Sequence, residues 1–246
     1  MKSENRHLRI ASADVSRVAV LSVTEPFWTH MLAALEDRAE VTRIATQEDL
    51  LGCLTEQVEF DLVFIAHWRW MIPQEVLSTW RCVGFHTSPL PLGRGGSPIQ
   101  NQILRGVYDS QVCAFRPTGE MDAGDVYLRR PICLKSGSIA EIFDLVARQS
   151  AEMAKEILLT DPTPEPQSGI PSTYERLKPS DSELSLGGLT PRQVYDRIRM
   201  VDGLDYPRAF QIEQDWVLEF TDARLRGEEV HATVRFRAVR KAGTNA

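Results

Sequence analysis

The chain has little that would mark a membrane, a disulfide framework or a surface for polyanions. No apolar run in its 246 residues approaches the roughly 20 needed to span a bilayer. The charged start MKSENRHLR is not followed by the apolar core of a secretory signal. A cytoplasmic protein without membrane association is expected. Cysteine is scarce, and Cys53, Cys82, Cys113 and Cys133 show no Cys-x-x-Cys spacing. That argues against a zinc site and a disulfide framework, and all four are expected as buried, reduced thiols. No set of His, Cys and carboxylate residues has metal-ligand spacing, so no metal is expected. There is no Lys/Arg block, and the net charge of −6 weighs against nucleic acid as a partner. Internal repeats, a Gly-x-Gly-x-x-Gly after the first strand and a Ser-His-Asp nucleophile pattern are missing as well.

What is present is an ordinary globular composition, 43% hydrophobic and 25% charged, in a chain long enough for one large domain or one domain plus a small appendage. Apolar runs at 17–23, 41–44, 62–65, 82–86, 112–115 and 126–128 read as strands. Between and after them, 26–38, 48–56, 98–105 and 139–159 carry helical spacing. Ser97 is a candidate N-cap, and Pro98 suits the first helical position. The alternation predicts an α/β fold with a doubly wound, mainly parallel sheet, in which ligands collect beyond the carboxyl ends of the strands. Residues 1–16 are polar and form either a disordered lead or an extra edge element. The stretch 161–172 (DPTPEPQSGIPS) holds four prolines and reads as an extended linker. The expected division is therefore 1–160 as the main domain, 161–172 as linker and 173–246 as a small α+β appendage. The appendage has a helix over 190–202, with Thr190 as its N-cap, and strands at 216–220 and 230–234.

Two segments carry chemistry. The first, GFHTSPLPLGRGGSPIQ (84–100), sets His86 at a strand end, then a proline-containing loop and a glycine-rich turn into a helix. The second, RPTGEMDAGDVYL (116–128), is an acidic, glycine-bearing loop between two strands. Together they resemble the signature of the methionyl-tRNA formyltransferase family, which includes sugar N-formyltransferases. His86, Ser88, Leu90 and Pro91 match the first part of that signature. Arg94, Gly95, Pro98, Ile99 and Gln100 match the second, and Met121-Asp122-Ala123-Gly124-Asp125 the third. The segment 64–73 (FIAHWRWMIP) is similar to the family's strand and loop beside the pterin pocket. Thr173-Tyr174, Ile198-Arg199 and Tyr206-Pro207 look like its later region.

The resemblance implies a Rossmann-like formyltransferase fold and transfer of a formyl group from 10-formyltetrahydrofolate to an amine. It gives His86 the role of base or oxyanion stabiliser, with Asp122 as the carboxylate that holds its tautomer and orientation. His67, Trp68, Met71, Gly84, Ser88 and Asp122 would border the folate. Arg94, Gly95, Gly96 and Asn101 would border the acceptor. Taken as isolated residues, several have plainer uses. Asp122 and Asp125 suit a turn, His67 with Trp68 and Trp70 suits a packed core, and Arg94 suits a loop brace. The run 93–96 serves either ligand approach or backbone geometry alone. His7, His30 and His231 have no site context and are expected at the surface.

One position departs from the family. Gly84 stands where the family has an asparagine expected to donate to the developing oxyanion, and losing such a donor typically costs ~10²–10³ in rate. A replacement donor (Ser88, Asn101, His67 or a backbone amide), a water in the vacated space, or degraded catalysis in a folate-binding relative would each account for it. For the acceptor, residues 163–246 hold 12 Lys/Arg against 13 Asp/Glu, a poor grip for tRNA and too few residues for a full β-barrel after the linker and helix. A nucleotide-linked amino sugar is therefore the expected acceptor, ahead of methionyl-tRNA or a small free amine. The strand-bearing tail could supply a homodimer contact.

Overall fold

Period-2 and period-3.6 patterning sort the chain into alternating strands and helices. The computed structural model describes residues 16–203 and 206–239; the expectations for residues 1–15, His7 among them, lie outside the described residues. In chain order the main elements are β1 (Ser16–Leu21), α1 (Glu25–Leu35), β2 (Ala39–Ile44), α2 (Gln47–Thr55), β3 (Leu62–Ile65), α3 (Gln74–Thr79) and β4 (Cys82–His86). After these come β5 (Arg94–Gly95), α4 (Pro98–Leu104), β6 (Asp109–Phe115), β7 (Val126–Cys133), α5 (Ile139–Thr160) and β8 (Thr173–Tyr174). The last are α6 (Pro191–Arg199), β9 (Ala209–Glu213), β10 (Trp216–Arg226) and β11 (Glu229–Ala238).

The central sheet has six strands in the order β2-β1-β3-β4-β6-β7. The first four are parallel neighbours, while β6 runs antiparallel to both β4 and β7. The sheet is therefore mixed and mostly parallel, in an α/β Rossmann-like arrangement. The strand order reverses between β1 and β3, so a crevice is expected at their carboxyl ends, beside β4. Strands covered on both faces must be apolar at successive positions. Val18, Val20, Phe64 and Val83 face α1 and α5, where Phe27, Met31, Leu35, Phe143, Val146 and Met153 complete one core. Ala19, Leu21, Val63 and Cys82 face the opposite layer, with Ile44, Leu50, Val76 and Trp80.

The long helix α5 starts on a capping box, in which Ser138 and Glu141 satisfy each other's backbone N–H. Thr190 is the N-cap of α6, as the sequence predicts, and Gln193 completes the same kind of box with it. Ser97 differs. It stands before α4 in a left-handed conformation (φ 48°) and makes no cap, because its hydroxyl accepts from the Leu177 N–H. Short pieces with weak patterning were not predicted: α3, β5, β8 and β9. The strands β10 and β11 run well past their expected ends, since hairpin pairing carries them beyond the apolar residues. They form a three-stranded antiparallel sheet with β9, and α6 packs against β10 and β11.

The cysteines also depart from expectation. All four are free, but only Cys82 and Cys113 are buried; Cys53 is half-buried on α2, and Cys133 is exposed. Cys133 ends β7, an edge strand whose burial is broken towards its end. His30 is part-buried and meets Asp144 at 2.8 Å on α5, while His231 is exposed beside Glu229. Among the described residues, no helix is long and apolar enough to cross a membrane.

Candidate active site

His86 is the last residue of β4, two positions from Gly84 and therefore on the same face of the strand. Its ring is buried, with 8% of the side chain exposed. Nε2 lies 2.8 Å from the Gly93 carbonyl. That contact requires a proton on Nε2, so a backbone carbonyl sets the tautomer. Nδ1 then faces Asp122, whose Oδ2 lies 3.4 Å away. This exceeds the ordinary N–H···O range, so the carboxylate stands across a narrow gap from the ring nitrogen.

Asp122 comes from the loop between β6 and β7. It adopts φ 50°, a left-handed conformation that aspartate tolerates better than most residues. Its Oδ2 accepts the Gly95 N–H at 2.8 Å, which fixes the carboxylate towards the imidazole. Gly124 holds the same loop closed, because any Cβ there would collide with the Arg116 carbonyl. Ser88 lies beside His86 and donates to the Leu92 and Gly93 carbonyls at 2.6 and 3.1 Å, bracing the carbonyl that receives the imidazole.

The glycines of 93–96 make room for the chain itself. A Cβ on Gly93 would strike the Tyr174 ring, one on Gly95 would stand 2.5 Å from the Tyr174 carbonyl, and one on Gly96 would stand 2.6 Å from Arg176 Cβ. Gly93 and Gly95 also have positive φ, of 69° and 99°. The close approach they permit is that of residues 172–176. Along this stretch Arg94 N donates to the Ser172 carbonyl and Gly96 N to that of Tyr174. Asn101 is engaged in the same seam: its amide donates to the Gly96, Ser97 and Glu175 carbonyls, and its Oδ1 accepts from Arg105. Arg94 braces loops, with Nη2 at 2.8 Å from Gln167 Oε1 and Nη1 at 3.2 Å from Glu120.

Gly84 has no empty space beside it. A Cβ there would stand 2.9 Å from the ring of Phe115 and 3.3 Å from Pro117. A water in a vacated asparagine site is thus ruled out by an aromatic ring already in place. The hydroxyl of Ser88 and the amide of Asn101, two of the side chains considered as replacement donors, both donate to backbone carbonyls.

His67 follows β3 with φ 63° and Nδ1 3.1 Å from Thr24 Oγ1. Its ring stacks on Phe27 and meets Phe143 edge-on, at centroid distances of 5.2 and 5.1 Å. Burial pushes its pKa down to about 4, with the Arg69 and Arg176 cations adding to the effect, so the ring is neutral at pH 7. Trp68 and Trp70 pack edge to face, and Met71 is mostly exposed. The Trp68 Nε1–H is buried with no acceptor among the described residues. Sequence reasoning missed Phe115, Gln167 and Ser172. The last two lie in the proline-rich stretch, where no periodicity or motif marks a side chain as close to His86.

A family model described as "Methionyl-tRNA formyltransferase, C-terminal domain" matches residues 179–237. The methionyl-tRNA formyltransferase of Rickettsia bellii is 28% identical over 148 residues, covering 57% of this chain and 49% of that protein. The chain thus matches about half the length of such curated relatives. A structure of HypX from Aquifex aeolicus in complex with tetrahydrofolic acid shares the fold, with TM-score 0.71, 20% identity, and 85% of this chain and 38% of that one covered. The solved structure of methionyl-tRNA formyltransferase from Clostridium thermocellum superposes with TM-score 0.85 and 30% identity, over 91% of this chain and 99% of that one. At that identity and coverage, this chain belongs to the methionyl-tRNA formyltransferase family.

Proposed function

We propose that this protein transfers the formyl group of 10-formyltetrahydrofolate to the amine of a nucleotide-linked amino sugar. The observation that carries the reading is the pairing of His86 Nδ1 with Asp122 Oδ2 at 3.4 Å, at the carboxyl end of the parallel strands. With Nε2 held by the Gly93 carbonyl, Nδ1 is the nitrogen left to exchange a proton. The acceptor amine attacks the formyl carbon and a new C–N bond forms. The imidazole–carboxylate pair takes the proton that the amine loses. As the tetrahedral oxyanion collapses, the bond to the folate nitrogen breaks, its electron pair returns to that nitrogen, and a proton is delivered there from the same pair. A formamide and tetrahydrofolate are the products. The Trp68 N–H, buried without an acceptor among the described residues, is a donor that a bound pterin would satisfy, and the solved complex of HypX with tetrahydrofolic acid is consistent with a folate in this fold.

Residues 1–160 act on this reading as the catalytic part, 161–172 as an extended connection and 173–246 as an appendage. The near-neutral balance of the appendage favours a small nucleotide over tRNA. One observation favours a second reading, initiator methionyl-tRNA as acceptor: the match of 179–237 to the C-terminal domain of methionyl-tRNA formyltransferase. Incubation with 10-formyltetrahydrofolate and a panel of nucleotide amino sugars, small amines and charged initiator tRNA decides between them. Tetrahydrofolate release with a formylated sugar supports the proposal. Charged tRNA as the best acceptor overturns the sugar, and tight folate binding with no turnover on any acceptor overturns the enzyme.

A further inference from the structure

The segment after α5 does more than connect. From Asp161 onward it turns back over the candidate active site. Glu165 pairs through its backbone with Val126, at 2.8 and 2.9 Å. Further along, Ser172 accepts from Gly93 N through its Oγ, accepts from Arg94 N through its carbonyl, and donates its own N–H to the Pro91 carbonyl. Between these anchors lies Gln167. Its Nε2 donates to the Asp122 and Gly124 carbonyls, each at 2.8 Å. Its Oε1 accepts from Arg94, from Nε at 3.2 Å and from Nη2 at 2.8 Å.

A glutamine amide offers two hydrogens and two lone pairs, and every one of the four is taken here. The two Nε2 hydrogens bind the carbonyls on either side of Ala123, clamping the turn in which Asp122 holds φ 50°. The two lone pairs bind the residue next to Gly95, whose N–H fixes the Asp122 carboxylate at 2.8 Å. One side chain therefore ties the backbone that carries Asp122 to the loop that aims it.

We propose that Gln167 is a positioning residue for the His86–Asp122 pair: its amide sets the distance and direction of the carboxylate relative to Nδ1. The proposal rests on the reading of that pair as the proton-transfer site. It predicts a chemical requirement as well as a steric one. Glutamate in place of Gln167 would keep a partner for Arg94 but present lone pairs to two carbonyls, and the Asp122 turn would open. Methionine would keep the length and lose both sets of bonds. A misplacement on the ångström scale at a reacting centre costs about 10²-fold in rate.

The test compares the wild-type protein with Gln167→Met, Gln167→Glu and, as a strap control, Ile170→Ser, whose side chain is 88% exposed. Circular dichroism and thermal melting first establish that each variant is folded. Two readouts follow: kcat and KM for formyl transfer, and the ring ¹⁵N shifts of His86, which report the environment and protonation of Nδ1 and Nε2 without turnover. Both Gln167 variants are expected to lose about 10²-fold in kcat with KM for folate changed less than threefold. Their His86 shifts should move towards those of Asp122→Asn, while Ile170→Ser matches wild type. Unchanged His86 shifts in folded Gln167→Met overturn the proposal, as does a loss confined to KM. If the wild-type protein transfers no formyl group, the functional reading fails, and the ring shifts still decide the role of Gln167. If one Gln167 variant does not fold, the other carries the comparison; if both unfold, Gln167 is structural and the proposal is overturned.

Discussion

Phe115 fills the space into which any side chain at Gly84 would project, with its ring edge 2.9 Å from the position of a Cβ there. The two residues are cross-strand partners in register between β4 and β6. A cross-strand pair shares one face of the sheet, so a ring on one strand leaves its neighbour room for a hydrogen only. The substitution Gly84→Asn should therefore destabilise the fold by about 1–3 kcal/mol through overpacking. Urea denaturation measures this directly. Adding Phe115→Ala to Gly84→Asn should recover part of the loss. The double variant should also turn over faster than Phe115→Ala alone if the asparagine amide can reach an oxyanion. A Gly84→Asn protein as stable as wild type would show that the ring moves aside without cost.

Removal of the imidazole or the carboxylate tests the reacting centre. His86→Ala should lower kcat by about 10²–10⁴-fold, the usual range for a general base, with folate affinity largely retained. For Asp122 the cleaner variant is asparagine. Asn shares its tolerance of left-handed φ, so the turn at φ 50° survives while the charge is lost. A similar fall in kcat is expected, and equilibrium folate binding by fluorescence separates it from a collapsed site. Full activity in either variant would remove that residue from the chemistry.

Much of the scaffold is written in local patterning. The run CVGFH is β4 to the residue, because a buried parallel strand needs unbroken apolar positions and His86 ends it. Motif order brings His86 and Asp122 into one neighbourhood, and the structure sets them 3.4 Å apart. What the sequence conceals is contact made by residues with no pattern of their own. Gln167 sits among prolines, where extension is legible but the destination of the side chain is not. Phe115 looks like any strand aromatic until its partner across the sheet is known to be Gly84. The antiparallel insertion of β6 is likewise invisible to alternation, since strand direction follows from how the loop after α4 returns and not from composition.

His67 makes stability depend on pH over a defined window. Burial among Phe27 and Phe143, with Arg69 and Arg176 nearby, holds its pKa at about 4, below the 6.5 of a free side chain. Between those values the unfolded chain binds a proton that the folded protein does not. Stability is therefore greatest above pH 6.5, falls as pH drops, and has lost this contribution in full below about 4. A gap of this size corresponds to about 3 kcal/mol. Urea midpoints measured across the window for wild type and His67→Asn, a residue that also accepts positive φ, isolate the effect from that of the carboxylates. The difference between the two proteins should change with pH. A constant difference would mean that His67 is solvated or already paired as a cation.

Arg199 is the largest fully buried side chain among the described residues, at 1% exposure, and it fastens the C-terminal helix to the sheet domain. Its Nε lies 2.7 Å from Asp196 Oδ1, Nη1 donates to the Gly137 carbonyl at 2.9 Å and Nη2 to that of Leu134 at 2.6 Å. Asp196, itself 3% exposed, also accepts from Tyr108 at 2.6 Å and Arg192 at 3.1 Å. Removing the guanidinium strips the buried Asp196 carboxylate of one of its two cations and leaves the buried carbonyls of Leu134 and Gly137 without these donors. The substitution Arg199→Met should therefore cost about 3–5 kcal/mol. Lysine should not restore it, because one ammonium cannot reach three acceptors held in the planar fan of a guanidinium. Chemical denaturation of the three proteins measures this order. A loss below about 1 kcal/mol for Arg199→Met, the range of an exposed pair, would show that solvent reaches the pair and that α6 is held by its apolar contacts alone.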